Sequence, residues 1–437
     1  MAGLTRRLAE HVASIGYGEL PTEAVEMMKR GAIDCMGVMF AGRDEPVVQV
    51  LSKTISKGEE ATLLFDRGRA ASADAALVNA AAAHALDYDD TGLDGHPSVA
   101  LVPAIFAEGE RLGANGKELI AAYVAGYETW AELIRRDADK HHGKGWHPTA
   151  VFGTLAAAAA AARLSRSGPE VTAHALGIAA SMAAGLVANF GSMAKPFQVA
   201  RAAQSGVLAA RLAAAGMTAS ADALEHRSGF LAAVSPRGRF DAERDIKPWH
   251  IVRYGVNIKR YPVCYALHRA IDTALELDFP VEKIQSIEIR LGKHQAGMLR
   301  HSAPQTGIDA KFSAEFALAA ALLQRRVGLA ELRDDFVKSE RVQSLMRKVQ
   351  VTTTDETDAD EPLFAPFDVL TVRLNDGSVQ VRNSKRHAKG HSRQPLSMDE
   401  LRAKFDDCTA GKQAALFERL LRLEEFGVRV LIPLTRS

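Results

Sequence analysis

Cysteine is almost absent from this chain: Cys35, Cys264 and Cys408 stand far apart among 437 residues. So few and so scattered, they build no disulfide framework and no Cys-rich zinc site, and they suit a reducing, cytoplasmic setting. Aromatic residues are scarce as well, at 6%, and neither sign of charge is in excess, since 54 Lys+Arg face 53 Asp+Glu for a formal net charge of +1. Without a global field there is no general hold on a nucleic-acid backbone or an anionic membrane. Neither is expected as a partner, and anion recognition must rest on local clusters. Long apolar runs are also missing. The most membrane-like stretch, Val151 to Ala162, is mostly alanine and stops at Arg163. It falls short of the span of about 20 apolar residues that a bilayer needs and reads as a buried helix. The first residues show no apolar h-region and no small-residue cleavage site, so no export signal is expected. GxxxxGK(S/T), GxGxxG after a strand, GxSxG and HExxH are all lacking, which argues against nucleotide hydrolysis, dinucleotide binding, α/β-hydrolase and zincin chemistry.

What is present is a large supply of core, with 47% hydrophobic residues. Between Pro21 and Gly42, Val25, Met28, Ala32, Met36 and Met39 recur at spacings of three and four, an amphipathic helix closed by glycine. Alanine-rich helical segments follow at Asp74–Leu86, Pro97–Leu112, Lys117–Ile134, Pro148–Leu164, Val171–Leu186 and Pro196–Ala215. Small side chains let such helices approach closely, so a compact all-helical bundle is expected over 1–257. After residue 258 the texture changes. Ile287, Ile289 and Leu291 alternate with charged residues, and Val369–Arg373 leads through Asn375-Asp376-Gly377 into Val379–Val381, the pattern of a hairpin. With helices expected at Asp309–Gln324 and Leu329–Val349, residues 258–393 form a smaller α+β domain. A capping box at Ser397–Glu400 opens a helix, and helical texture continues over Lys412–Phe426, so 394–437 is expected to complete the bundle. The fold class is therefore mainly α.

Chemistry concentrates in a few places. His84-Ala85-Leu86-Asp87-Tyr88-Asp89-Asp90-Thr91 follows an almost uncharged alanine helix, and the spacing of His84, Asp87 and Thr91 would set them on one face of a helix end. Gly95-His96-Pro97 and Trp146-His147-Pro148 each open an alanine helix. Proline favours the first helical position and extends its predecessor, so each histidine should sit at or beside an N-cap. There the free N–H groups attract carboxylates and keep an imidazole neutral. A lone His-Pro is most often structural; two with the same flanks weaken that reading. Lys195 precedes Pro196, and Lys259-Arg260-Tyr261-Pro262 lies at the expected domain boundary. Two histidines and two lysines beside helix starts describe a site for a small polyanion carrying several carboxylates, with Arg260 as a bidentate clamp. Asp89-Asp90 with Asp94 fits poorly the two spaced aspartates of a Mg²⁺–diphosphate enzyme, and the Lys385–His391 run lacks the interleaved aromatics of a nucleic-acid surface.

Taken in order, His84–Thr91 with His96-Pro97-Ser98, Gly145–Thr149, Met193–Pro196, Lys259–Pro262 and Ala310–Ser313 resemble the motifs of the MmgE/PrpD family over nearly the whole chain. That family includes 2-methylcitrate dehydratase, cis-aconitate decarboxylase and iminodisuccinate epimerase. The resemblance implies a helical domain formed by both chain ends, a smaller lid domain, a homodimer, and chemistry without nucleotide, haem or metal. Carried over residue by residue, it implies a pocket of Asp87, Thr91, His96, His147, Lys195 and Lys259 acting on a small di- or tricarboxylate. His96 or His147 would transfer the proton, Lys195 and Lys259 would hold carboxylates, and Asp87 and Thr91 would orient them. Two positions depart from the decarboxylase branch: Cys264 stands where that branch has a further histidine, and Phe316 where it has tyrosine. Elimination of water or carbon dioxide leads, epimerisation of a dicarboxylate stays open beside it, and a non-catalytic carboxylate binder is the reading from another class.

Overall fold

The computed structural model describes residues 3–65 and 68–431. Helix dominates, and a four-stranded mixed sheet is the largest β element among the described residues. Two compact units emerge: Met1–Asn257 with Met398–Ser437, over their described parts, and Ile258–Ser397.

The larger unit is built from α1 (Leu4–Ser14), α2 (Thr22–Gly42), α3 (Pro46–Thr54), α4 (Ser72–His84), α5 (Pro97–Leu112), α6 (Gly116–Ile134), α7 (Pro148–Leu164), α8 (Pro169–Met182) and α9 (Ala194–Ala214). Helices Met398–Thr409 and Ala414–Leu421 pack on α2. Alanine explains how tightly the rest assemble. A Cβ on Gly206 of α9 would lie 2.6 Å from the Ala158 nitrogen of α7 and against the Ala157 methyl, so the two helices pack too closely there for any residue but glycine. The Val151–Ala162 stretch is buried inside α7. No helix among the described residues is long and apolar enough to cross a membrane.

The all-helical expectation needs one correction. β1 (Ala61–Thr62) and β2 (Arg69–Ala70) form a short antiparallel ladder in this unit. A buried glutamate explains it: Glu110 of α5 accepts from the Thr62 N–H at 2.7 Å, the Thr62 hydroxyl at 2.9 Å and Arg69 Nη1 at 2.7 Å. That carboxylate gathers the two segments where helix periodicity is absent.

The smaller unit holds β3 (Ile284–Gly292), β4 (Val349–Thr354), β5 (Val369–Leu374) and β6 (Val379–Asn383) in the order β4-β3-β5-β6. β3 runs parallel to β4, with Ile287 opposite Val349, and antiparallel to β5, with Ile289 opposite Leu370. The hairpin β5–β6 turns through Asp376-Gly377, where Gly377 has φ 85°. Ile287, Ile289, Leu291, Leu370 and Val372 face a core shared with Phe316, Leu318 and Leu322 of helix Ala314–Gln324. The helix expected over Asp309–Gln324 is interrupted, because the Ser313 hydroxyl accepts from the Phe316 N–H at 3.1 Å and caps a new start. The helix expected over Leu329–Val349 breaks into short turns and ends in β4, where Val349-Gln350-Val351-Thr352-Thr353-Thr354 favours an extended chain.

Candidate active site

The site begins where α4 stops. His84 is its last residue and fully buried, and the chain then turns through Asp87, which has φ 53°. Helix does not continue to Thr91, so the shared helix face expected for His84, Asp87 and Thr91 does not form; a residue at positive φ ends it. Thr91 instead exchanges two backbone hydrogen bonds of 2.8 Å with Asn257, and Gly92 and Gly95 exchange two of 2.9 Å around Leu93 and Asp94. Leu93 and Asp94 have φ 51° and 58°, the positive values of a tight hairpin turn in residues that rarely adopt them. Such strain costs on the order of 1–3 kcal/mol per residue and gathers where geometry serves function.

That turn delivers His96 to the N-cap of α5, as Pro97 predicted, and His147 holds the N-cap of α7. The two helix starts touch. Thr149 Oγ1 accepts from the His96 N–H at 3.2 Å, and a Cβ on Gly95 would lie 2.8 Å from that oxygen and from Trp130. Lys195 differs from expectation: α9 starts at Ala194, so Lys195 lies inside the first turn. Pro196 tolerates this because first-turn N–H groups have no intrahelical partner to lose.

The hydrogen bonds fix the state of each imidazole. His96 Nδ1 lies 2.8 Å from both the Asp90 carbonyl oxygen and Asp89 Oδ2. Both are acceptors, so Nδ1 carries the hydrogen and Nε2 is left as the basic nitrogen. His84 Nδ1 lies 3.0 and 3.1 Å from the two Asp89 oxygens, by the same logic. At His147, Nδ1 lies 2.9 Å from Gln198 Oε1, while Gln198 Nε2 donates to the Leu186 carbonyl at 3.1 Å. Again Nδ1 donates and Nε2 stays basic. The His84 ring centroid is 4.6 Å from that of His96 and 6.3 Å from that of His147. Burial pushes His84 down to about 4 and His147 down to about 2, so both are uncharged at neutral pH.

Asp87 gathers the cations. Its Oδ1 is 3.0 Å from Lys195 Nζ and 3.8 Å from His96 Nε2. Lys195 also sits 5.5 Å from the Phe190 ring, on which His147 packs edge-on at 4.8 Å. His84, Asp87, Asp89 and His96 offer ligand atoms within 4.8 Å of one another. In this arrangement the Nδ1 atoms of both imidazoles face Asp89, and the Lys195 ammonium sits on Asp87. Behind them Asp90 accepts from the Ser98 N–H at 3.2 Å, meets the Ser98 hydroxyl, and through it Tyr123 at 2.8 Å. Burial and the charge of Asp34 raise Asp90 to about 8, making it a protonated acid at neutral pH. Lys404, from helix Met398–Thr409, pairs with Asp34.

The larger unit thus brings together Asp87, His96, His147 and Lys195, with Thr91 holding the loop through its backbone. Lys259 and Arg260 belong to the smaller unit. Lys259 is buried there, and Arg260 Nη1 lies 3.5 Å from Asp272 Oδ1, an oxygen that also accepts from the Tyr261 hydroxyl at 2.6 Å. Asp89 and Gln198 were given no role by the sequence reading, and His84 was noted in its cluster but left out of the expected pocket. His84 and Asp89 lie inside the run that drew attention, and Gln198 follows Lys195 by three residues, a spacing that shares a helix face.

The chain matches the MmgE/PrpD N-terminal domain over residues 6–243 and the MmgE/PrpD C-terminal domain over residues 261–421. It is similar to the cis-aconitate decarboxylase of Mus musculus, at 28% identity over 432 residues, 93% of this chain and 86% of that one. The Homo sapiens cis-aconitate decarboxylase is 27% identical over 436 residues, 93% and 87% of the two chains, and that of Aspergillus terreus (strain NIH 2624 / FGSC A1156) 25% over 413 residues, 86% and 84%. With both domains matched in order, and with the paired helix-start histidines in place, this chain belongs to the MmgE/PrpD family.

Proposed function

We propose that the protein is a lyase that moves a proton at the carbon next to a carboxylate of a small di- or tricarboxylate and expels water or carbon dioxide. The observation that carries this reading is the pair of helix-start histidines, each anchored through Nδ1 with Nε2 left basic, beside the Lys195 ammonium. In dehydration, Nε2 of one histidine takes the proton, the C–H electron pair becomes the new double bond, the C–O bond breaks, and the hydroxyl leaves as water with a proton that the other histidine has taken up from solvent at Nε2. In decarboxylation no C–H bond breaks: the C–C bond to the departing carboxylate breaks, carbon dioxide leaves, the electron pair stays on carbon, and a histidine that has taken up a proton from solvent at Nε2 delivers it there. Lys195 and Lys259 hold the substrate carboxylates and stabilise the added negative charge, Arg260 supplies a further contact, and Asp87 and Thr91 orient the imidazole or substrate. The similarity to cis-aconitate decarboxylases supports the lyase class.

Phe316 bears little on the choice of reaction, since it is fully buried in the smaller unit's core against Phe336. Cys264 is half-buried, and its thiol in place of an imidazole counts against decarboxylation, which leaves dehydration and, as a second reading, an isomerase that returns the proton to the same carbon. The smaller unit is proposed as a lid and the protein as a homodimer. Proton NMR in deuterium oxide over citrate, 2-methylcitrate, cis-aconitate, malate and iminodisuccinate separates the possibilities. Loss of water or carbon dioxide identifies the lyase, and deuterium uptake with unchanged composition identifies the isomerase. Silence across the panel contradicts both. Protease protection near residue 258 on adding a tricarboxylate tests lid closure, and sedimentation tests the dimer.

A further inference from the structure

We propose that Asp89 is a positioning residue that holds His84 and His96 in the Nδ1–H form with one shared carboxylate, so that a proton moved in the reaction is received at His96 Nε2. The proposal rests on the proton-transfer role assigned above to the helix-start histidines, and it names the groups that prepare one of them.

The geometry is unusual for a buried acid. Asp89 is fully buried, and among the described residues no lysine or arginine forms an ion pair with it. One oxygen receives His84 Nδ1 at 3.0 Å and the other receives His96 Nδ1 at 2.8 Å. Burial alone would raise its pKa, yet the two imidazoles hold it well below the ordinary carboxylate value, so it stays an anion and an acceptor only. An acceptor on both sides leaves neither imidazole the choice of the other tautomer.

The two histidines are not equivalent. The His84 side chain is wholly buried and its Nε2 has no hydrogen-bond partner, whereas 14% of the His96 side chain is exposed and its Nε2 faces Asp87. Of the two Nε2 atoms, only that of His96 is open to solvent and to Asp87, and so to a reacting group. His84 stays neutral and fixes the rotation of the carboxylate. An unsatisfied buried nitrogen costs about 1–3 kcal/mol. In this account that expense fixes the tautomer of a neighbour.

Asp89→Asn is the decisive change. An asparagine offers one acceptor and one NH₂ donor in the same space, so it can receive only one Nδ1–H and must donate to the other ring. Long-range ¹⁵N–¹H NMR reads the tautomers without any substrate. In the unaltered protein both His84 and His96 should show the Nδ1–H pattern, and in the variant one of the two should switch. With a turned-over member of the carboxylate panel, kcat should fall about 10²–10⁴-fold with KM within about threefold, the signature of a lost proton-transfer geometry. An Nε2–H pattern at His96 in the unaltered protein overturns the proposal even if the variant fails to fold. So does a folded variant in which neither ring switches or in which kcat is retained. If no panel member is turned over, the proposed function fails while the tautomer spectra still decide this inference.

Discussion

Two clusters of buried charge, one in each unit, are handled in opposite ways. In the smaller unit, two buried carboxylates each have a dedicated cation: Arg269 donates to Asp368 at 2.6 Å and to the Ala365 carbonyl at 2.9 Å, and Arg386 pairs with Asp358 at 2.7 Å. In the larger one, Asp34, Asp89 and Asp90 are buried near one another with three imidazoles, and proton positions balance the account as much as ion pairs do. Pairing one to one makes a fold. Crowding acids and imidazoles beyond what pairing can satisfy destabilises the resting state and leaves groups whose protonation a ligand can change, which is what proton transfer requires.

The largest effect that separates the two should be kinetic. His147→Ala, and separately His96→Ala, should lower turnover about 10²–10⁴-fold while leaving the melting temperature nearly unchanged, as read by steady-state rates and thermal unfolding. Next comes the mirror experiment. Arg269→Ala leaves Asp368 buried without its cation and should destabilise the chain by about 3–5 kcal/mol in denaturant unfolding. A fall in turnover without a fall in stability there would erase the contrast.

The smallest effect concerns pH. Asp90 rises from 3.8 to about 8 on folding, so the folded chain keeps a proton that the unfolded chain has lost, and this stabilisation fades as pH climbs through that window. His84 and His147 fall from 6.5 to about 4 and about 2, so their contribution fades as pH drops below 6.5. Together these groups put maximum stability near pH 6.5, and Asp90→Asn should flatten the decline between there and pH 8 while keeping the acid side. Melting temperature measured against pH checks the shape, and an unchanged alkaline side in the variant would show that Asp90 is ionised in the fold.

How much of this was legible follows from where each signal lies. The N-cap positions of His96 and His147 could be read because proline dictates the conformation on both sides of itself. The same rule misplaced Lys195, since proline is also tolerated later in the first turn. β3 and the hairpin declared themselves through alternation and Asp-Gly. β4 did not, because its three threonines follow a helical pattern without a break. Asp87, Asp89 and Asp90 were visible as a run, but a run cannot say which carboxylate is buried between imidazoles and which is protonated. That depends on how α4, α5 and α7 converge, and Gln198, a polar residue in an alanine helix, acquires meaning only once His147 is beside it.

The central claim is that the helix-start histidines move a proton at carbon next to a carboxylate. Its most direct measurement is the rate of solvent deuterium entry at that carbon, followed by NMR in the wild-type chain and in the His96→Ala and His147→Ala variants. The account predicts incorporation or elimination in the wild type and its loss in at least one variant. Exchange that persists at the wild-type rate in both would contradict it.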